Sequence, residues 1–251
     1  MKLLLITGLL ILFIQDTKQK VTEYHNNGRI SAEGYVIDDR KTGHWIFYFE
    51  NGNKKEEGGF DDDRKEGEWI GYYESGEVKY HFHYKEGLKH GWHKEFNKDF
   101  EILSMGVYEN DGKEGYWKYF YPSGEIKIET AYRQDEMHDD WKYYYESGNI
   151  KETGSYKNGK RHDYWTFYYP SGQVMTEGSY HNDEKDGWWM EFDEKGNYTS
   201  QGNYAEGIMH GKWIVYEDGI KRSEGDYLDG VRHSTWKFYD KDGNLERIIE
   251  Y

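Results

Sequence analysis

The sequence predicts an all-β chain: a repeat array of about nine to ten consecutive antiparallel β-hairpins, each of 24 residues, forming one long, twisted, grooved sheet. Three regularities predict it. Nine of the 10 tryptophans, Trp45, Trp69, Trp92, Trp117, Trp141, Trp165, Trp189, Trp213 and Trp236, follow one another at spacings of 24, 23, 25, 24, 24, 24, 24 and 23. Seven residues after most of them stands a glycine: Gly52, Gly76, Gly124, Gly148, Gly172, Gly196 and Gly243. Eight residues beyond that position comes an aromatic: Phe60, Tyr84, Tyr108, Tyr132, Tyr156, Tyr180, Tyr204, Tyr227 and Tyr251. A fixed period of this length means one small unit stacked on copies of itself, and the nine indoles are its expected core. The 23 and 25 flanking Trp92 cancel, which reads as one loop shortened and the next lengthened.

The unit from Trp141 to Tyr156 shows why each element is a strand or a turn. Ser147-Gly148 reads as a two-residue turn, with glycine taking positive φ at no steric cost. Pairing outward places Tyr145 opposite Ile150, Tyr143 opposite Glu152 and Trp141 opposite Gly154. Side chains alternate along a strand, so Trp141, Tyr143 and Tyr145 share one face and Tyr144 takes the other. Gly34, Gly58, Gly106, Gly154, Gly178, Gly202 and Gly225 fill the slot facing a tryptophan, on the pattern of Trp69 with Gly58 or Trp165 with Gly178. A cross-strand ring lying on bare backbone recovers the burial that glycine lacks. Phe82, Thr130 and Ile249 depart from this rule. The second turn is polar (Asn158-Gly159, Glu206-Gly207, Asp229-Gly230), and successive hairpins then follow one another as a meander. Twist and curling should bring the Trp face onto a concave or mutually covered side.

Composition narrows function. With 33 basic against 48 acidic residues the formal charge is −15, which opposes binding to nucleic acid and to anionic membrane surfaces. No cysteine is present, so disulfides, thiolate chemistry and Cys-ligated zinc are excluded. Of the 35% hydrophobic residues more than half are aromatic (19% of the chain), which disfavours helical and α/β folds. No phosphate loop, G-x-S-x-G or H-E-x-x-H occurs, and no catalytic residue or cofactor site is expected. His81, His83, His90 and His93 could hold zinc or copper only if they converged; other loops carry histidine as well, and no metal site is expected.

Lys2 followed by the apolar run Leu3–Ile14 has the layout of an export signal, too short to span a bilayer comfortably. The expected organisation is an export signal or membrane anchor over residues 1–20 and a single repeat domain over 21–251. The chain would be exported (periplasmic, cell-surface or extracellular) or anchored, touching membrane only through that segment, with a cytoplasmic location as the alternative.

The unit G-x-W-x-x-Y-Y-x-x-G-x-[IV]-x-x-E-G-x-Y, seen from Gly115 to Tyr132 and with Asp163 replacing glycine from there to Tyr180, resembles the MORN-repeat variant found in the YwqK-type antitoxin family. The resemblance implies an extended, grooved sheet of hairpins and an antitoxin-like neutraliser of a protein toxin. The Trp92 unit, without its turn glycine, and the export-like start depart from it.

Two faces compete as the working surface. The Trp face, with Phe47, Tyr143, Ile126, Ile150, Val78 and Val174, reads as core. The opposite face carries the ring three residues after each tryptophan: Tyr48, Tyr72, Phe120, Tyr144, Tyr168, Phe192, Tyr216 and Tyr239, with Glu95 the exception. Lys55, Lys79, Lys127, Lys151 and Arg222 are its expected cross-strand neighbours. Such rings either bind a partner or shield the sheet. The function expected is a non-enzymatic scaffold binding a partner protein through this ladder; the alternative is an exported carbohydrate or cell-wall binding module that stacks sugars on exposed aromatics.

Overall fold

The computed structural model describes residues 17–251. Of the expected export segment only the last four residues fall within that range, and Gln19 and Lys20 already open the first strand. Twenty-one strands, from Gln19–Tyr24 to Leu245–Glu250, form one sheet, and no helix occurs among the described residues. Each strand pairs antiparallel with its neighbours in the chain. Leu88–Lys89 and Gly91–Phe96 are two pieces of one strand, both laid against Val78–Lys85. The end strands pair on one side only, so the meander is open. Strands make substantial contact only with chain neighbours, so no curled second layer buries the tryptophans.

Within hairpins the expected register holds: Trp45 faces Gly58, Trp141 faces Gly154, Trp165 faces Gly178, and Trp69, Trp117 and Trp236 face Phe82, Thr130 and Ile249. The turn itself is one residue longer than expected. Tyr145 N–H donates to Asn149 O at 2.8 Å and Gly148 N–H to Tyr145 O at 2.9 Å, enclosing Glu146-Ser147-Gly148. Gly148 sits at φ 87°, the left-handed residue that closes a three-residue hairpin with a bulge. The extra residue re-seats the neighbouring side chains. Ile150 stands opposite Tyr144 rather than Tyr145; likewise Val78 meets Tyr72, Ile126 meets Phe120 and Val174 meets Tyr168. These aliphatics therefore support the ladder, and Lys151 turns instead to the rings of Tyr143 and Tyr145, at 4.6 and 5.6 Å.

Hairpins are joined across seams, where a glycine-bearing strand meets the next tryptophan-bearing one. The seam turns hold two left-handed residues in succession, such as Asp62-Asp63 (φ 51° and 63°) and Asn182-Asp183 (φ 52° and 73°), which Asn and Asp tolerate best. Two residues before each core position lies another left-handed residue: Gly43, Gly67, Gly91, Gly115, Asp139, Asp163, Gly187, Gly211 and Ser234, with φ between 56° and 83°. The seam register breaks beside it, as between Glu114 and Lys118, so each tryptophan-bearing strand enters its hairpin through a bulge. That geometry is the physical content of the glycine in G-x-W.

Gly58, Gly154, Gly178, Gly202 and Gly225 have a tryptophan on both sides, and only the one across the seam lies on each; on the hairpin side Gly34 meets Val21 and Gly106 meets His93. A Cβ on Gly154 would stand 2.2 Å from the Trp165 indole, and one on Gly58 would stand 2.3 Å from Trp69. The same contact joins Gly34 to Trp45, Gly106 to Trp117, Gly178 to Trp189, Gly202 to Trp213 and Gly225 to Trp236. Each of these indole N–H groups donates to the carbonyl just after its glycine, as Trp69 Nε1 does to Gly59 O at 3.0 Å and Trp189 Nε1 to Ser179 O at 3.0 Å. The aromatic two residues past the glycine meets the same indole edge to face: Phe60 on Trp69 at 5.0 Å and 90°, Tyr180 on Trp189 at 5.0 Å and 81°. Burial, hydrogen bond and ring geometry thus converge on one seat per seam.

Trp92 is not in that seat. It points to the opposite face, and His93 lies buried in its place, paired with Gly106. Counted through His93, the core recurs at 24 residues on either side, so no loop has been shortened or lengthened. Phe100 then occupies the turn-glycine position, left-handed at φ 63°, and Phe96 rather than Glu95 falls three residues after the core.

Candidate binding face

The face opposite the core indoles carries the ladder of Tyr48, Tyr72, Phe120, Tyr144, Tyr168, Phe192, Tyr216 and Tyr239, all half-buried. Several of its hydroxyls are committed. Tyr48 donates to Glu33 at 2.8 Å, Tyr144 to Glu129 at 2.6 Å, and Tyr72 and Tyr239 likewise to Glu57 and Glu224. Tyr216 accepts from Gln201 at 2.6 Å. Burial, then the carboxylate neighbour, pushes the Tyr48, Tyr72 and Tyr144 phenols up to about 12. In return, the hydrogen bonds from Lys118 and Tyr144 hold Glu129 below the usual carboxylate range. In the displaced repeat Phe96 completes the ladder, stacked on Phe100 at 4.8 Å and 5°.

A second row stands proud of the ladder. Trp92, Tyr116, Tyr164 and Trp188 occupy the position just before each core residue and are 68%, 75%, 50% and 41% exposed. They face small or slender partners, Val107, Ala131, Ser179 and Asn203, so little shields their rings. Asp140 interrupts the row between Tyr116 and Tyr164. The signal for it lay in the x of G-x-W, a column in which four rings stand among polar residues and which the Trp188-Trp189 doublet makes visible.

The histidines divide between faces. His81 and His83 alternate with Phe82 and project to the exposed-ring side, facing Lys94 and Glu68, whereas His93 packs into the core. Among the described residues no three ligating side chains come together as a metal site. On the Trp face a cation four residues before the core covers the indole: Lys65 Nζ lies 3.8 Å from the Trp69 ring, Lys185 4.1 Å from Trp189 and Arg232 4.4 Å from Trp236. Burial holds Lys185 below the ordinary lysine value. Met137 and Met209 occupy the same position before Trp141 and Trp213, so the seat accepts a long flexible stem with or without a charge.

Six segments, residues 41–62, 65–86, 113–134, 140–158, 164–182 and 232–251, match the MORN repeat variant. The chain is similar to that repeat over these six segments. The matched segments skip the displaced repeat around His93 and also residues 183–231, where Trp189 and Trp213 keep their core seats. No curated protein matches the sequence. Among solved structures, selenomethionine-substituted virginiamycin B lyase from Staphylococcus aureus aligns at 11% identity and TM-score 0.17, over 94% of this chain and 71% of that one. TcdB2-TccC3-TEV aligns at 8% identity and TM-score 0.20, over 93% of this chain and 15% of that one. Scores this low bear on neither fold nor function. The chain is a repeat scaffold.

Proposed function

We propose that this scaffold is non-enzymatic and captures a partner protein on the face opposite its core indoles. One observation carries the reading: four exposed rings, Trp92, Tyr116, Tyr164 and Trp188, share one position in the repeat and stand on one face. Tyrosine and tryptophan give large contact area for little lost rotamer entropy, which is why interfaces favour them. The half-buried ladder from Tyr48 to Tyr239 borders the row and forms its floor. Resemblance to the YwqK-type family supports an antitoxin-like neutraliser as the sharper form of this reading, and the Lys2 and Leu3–Ile14 layout supports export.

The test is co-purification with the product of the adjacent reading frame, comparing wild type with a triple variant, Tyr116→Ser, Tyr164→Ser and Trp188→Ser. Capture should be lost in the variant while its melting temperature stays near wild type. Undiminished capture would show that the row is not the contact.

A further inference from the structure

The exposed-ring face carries a second feature at its displaced repeat. A cavity of about 420 Å³ opens there, lined by Glu68, His81, His83, His90, Trp92 and Lys94 together with parts of neighbouring residues. Its volume is in the range of small-ligand sites. Register explains how it is assembled. Glu68 faces His83 across one strand pair, and His81 faces Lys94 across the next. His90 breaks the strand, its N–H bonded to His83 O at 2.8 Å, and its buried Nδ1 has no partner. Trp92, moved out of the core seat by one residue, supplies an uncovered indole face at the side.

We propose that this basin binds a polyhydroxylated ring, a mono- or disaccharide, with its C–H face on Trp92 and its hydroxyls among the imidazoles, Glu68 and Lys94. The chemistry selects that class. Imidazoles donate and accept, the carboxylate accepts and the ammonium donates, so a rim of hydroxyls finds both kinds of partner. A metal ion does not fit, because no three ligating groups converge among the described residues. A simple anion would meet Glu68, and a simple cation would meet Lys94. The basin shares Trp92 with the exposed row but includes none of Tyr116, Tyr164 and Trp188, the residues whose substitution tests protein capture.

The test is calorimetric titration of the full chain with glucose, galactose, N-acetylglucosamine and cellobiose in turn, and separately with zinc chloride. Saturable millimolar binding of at least one sugar is expected. Trp92→Ala and His83→Ala should each weaken it about tenfold or more, while Trp92→Phe and Tyr164→Ala retain it. All five proteins should share one thermal melt. Failure of every sugar to saturate, or wild-type affinity in Trp92→Ala, overturns the proposal. Zinc heat that disappears in His83→Ala, without sugar binding, also overturns it by assigning the basin to a metal. Loss of protein capture in the triple variant would leave each of these results unchanged.

Discussion

The seam between Gly154 and Trp165 and the seam between Thr130 and Trp141 differ at the residue that receives the indole, glycine in one and threonine in the other. In the first, the indole lies on bare backbone, is fully buried, and donates to Ser155 O and His162 O at 3.2 Å. In the second, Thr130 fills the seat itself and is buried. Trp141 is displaced toward the following strand, only half-buried, with its N–H on Glu152 Oε1 at 3.0 Å and its ring 5.3 Å from Tyr156. A third arrangement occurs at Phe82 and His93, where a large group fills the glycine slot, a smaller ring fills the tryptophan slot, and the two stack at 4.5 Å and 21°. The seat therefore requires combined fit across the seam rather than a particular residue on either side.

Removing the indole from each seam gives the widest separation. Trp165→Ala should cost about 3–5 kcal/mol, the range for deleting a buried large aromatic. Trp141→Ala should cost clearly less, and denaturant unfolding midpoints compare the two. Next come the receiving positions. Gly154→Ala drives a methyl into Trp165 and should cost about 1–3 kcal/mol, whereas Thr130→Ala should be milder because no indole lies there. Equal losses in hydrogen-exchange protection at the two seams would break the distinction.

The His93 seam adds a pH dependence on the acid side of neutrality. Burial, reinforced by Lys89 and Lys113, pushes the His93 imidazole down to about 4 from its ordinary 6.5. Folding therefore favours the neutral ring, and the unfolded chain takes up the proton first as pH falls. The contribution is complete above 6.5 and is lost progressively as pH falls from there toward 4. Melting temperatures at neutral and mildly acidic pH should diverge more in wild type than in His93→Phe. The smallest effect belongs to Trp92→Ser, which should stay within about 0.5 kcal/mol of wild type because the ring is exposed. A core-sized loss at Trp92 would restore it to the core.

The antiparallel meander, pairings such as Trp141 with Gly154, and the departures at Phe82, Thr130 and Ile249 were legible in the sequence because they follow from a period and from two-fold alternation. The expected curling onto a covered side was not met, since the sheet stays open. Which of its two neighbouring indoles covers a glycine was not legible. Gly154 stands in register between Trp141 and Trp165, and the bulge at Asp163 that steers Trp165 onto it depends on backbone angles. The two-residue reading of Ser147-Gly148 missed that left-handed glycine also closes a three-residue turn, and one residue sufficed to exchange Ile150 and Lys151. Trp92 breaks the rule that a tryptophan of this repeat is core. Its irregular spacing was the available clue, and it pointed one residue along to His93. The exposed row is masked in the sequence because the same position also takes His44, Glu68, Asp140, Lys212 and Thr235.

The position four residues ahead of each core ring takes Lys41, Lys65, Lys89, Lys113, Arg161, Lys185 and Arg232, but also Met137 and Met209. A site that needs only the hydrocarbon portion of its occupant leaves the terminal group free to vary. Exchanging methionine for lysine along this line would move the isoelectric point of the array step by step while leaving its architecture in place. Solubility and long-range attraction could then diverge between related arrays far faster than their shape.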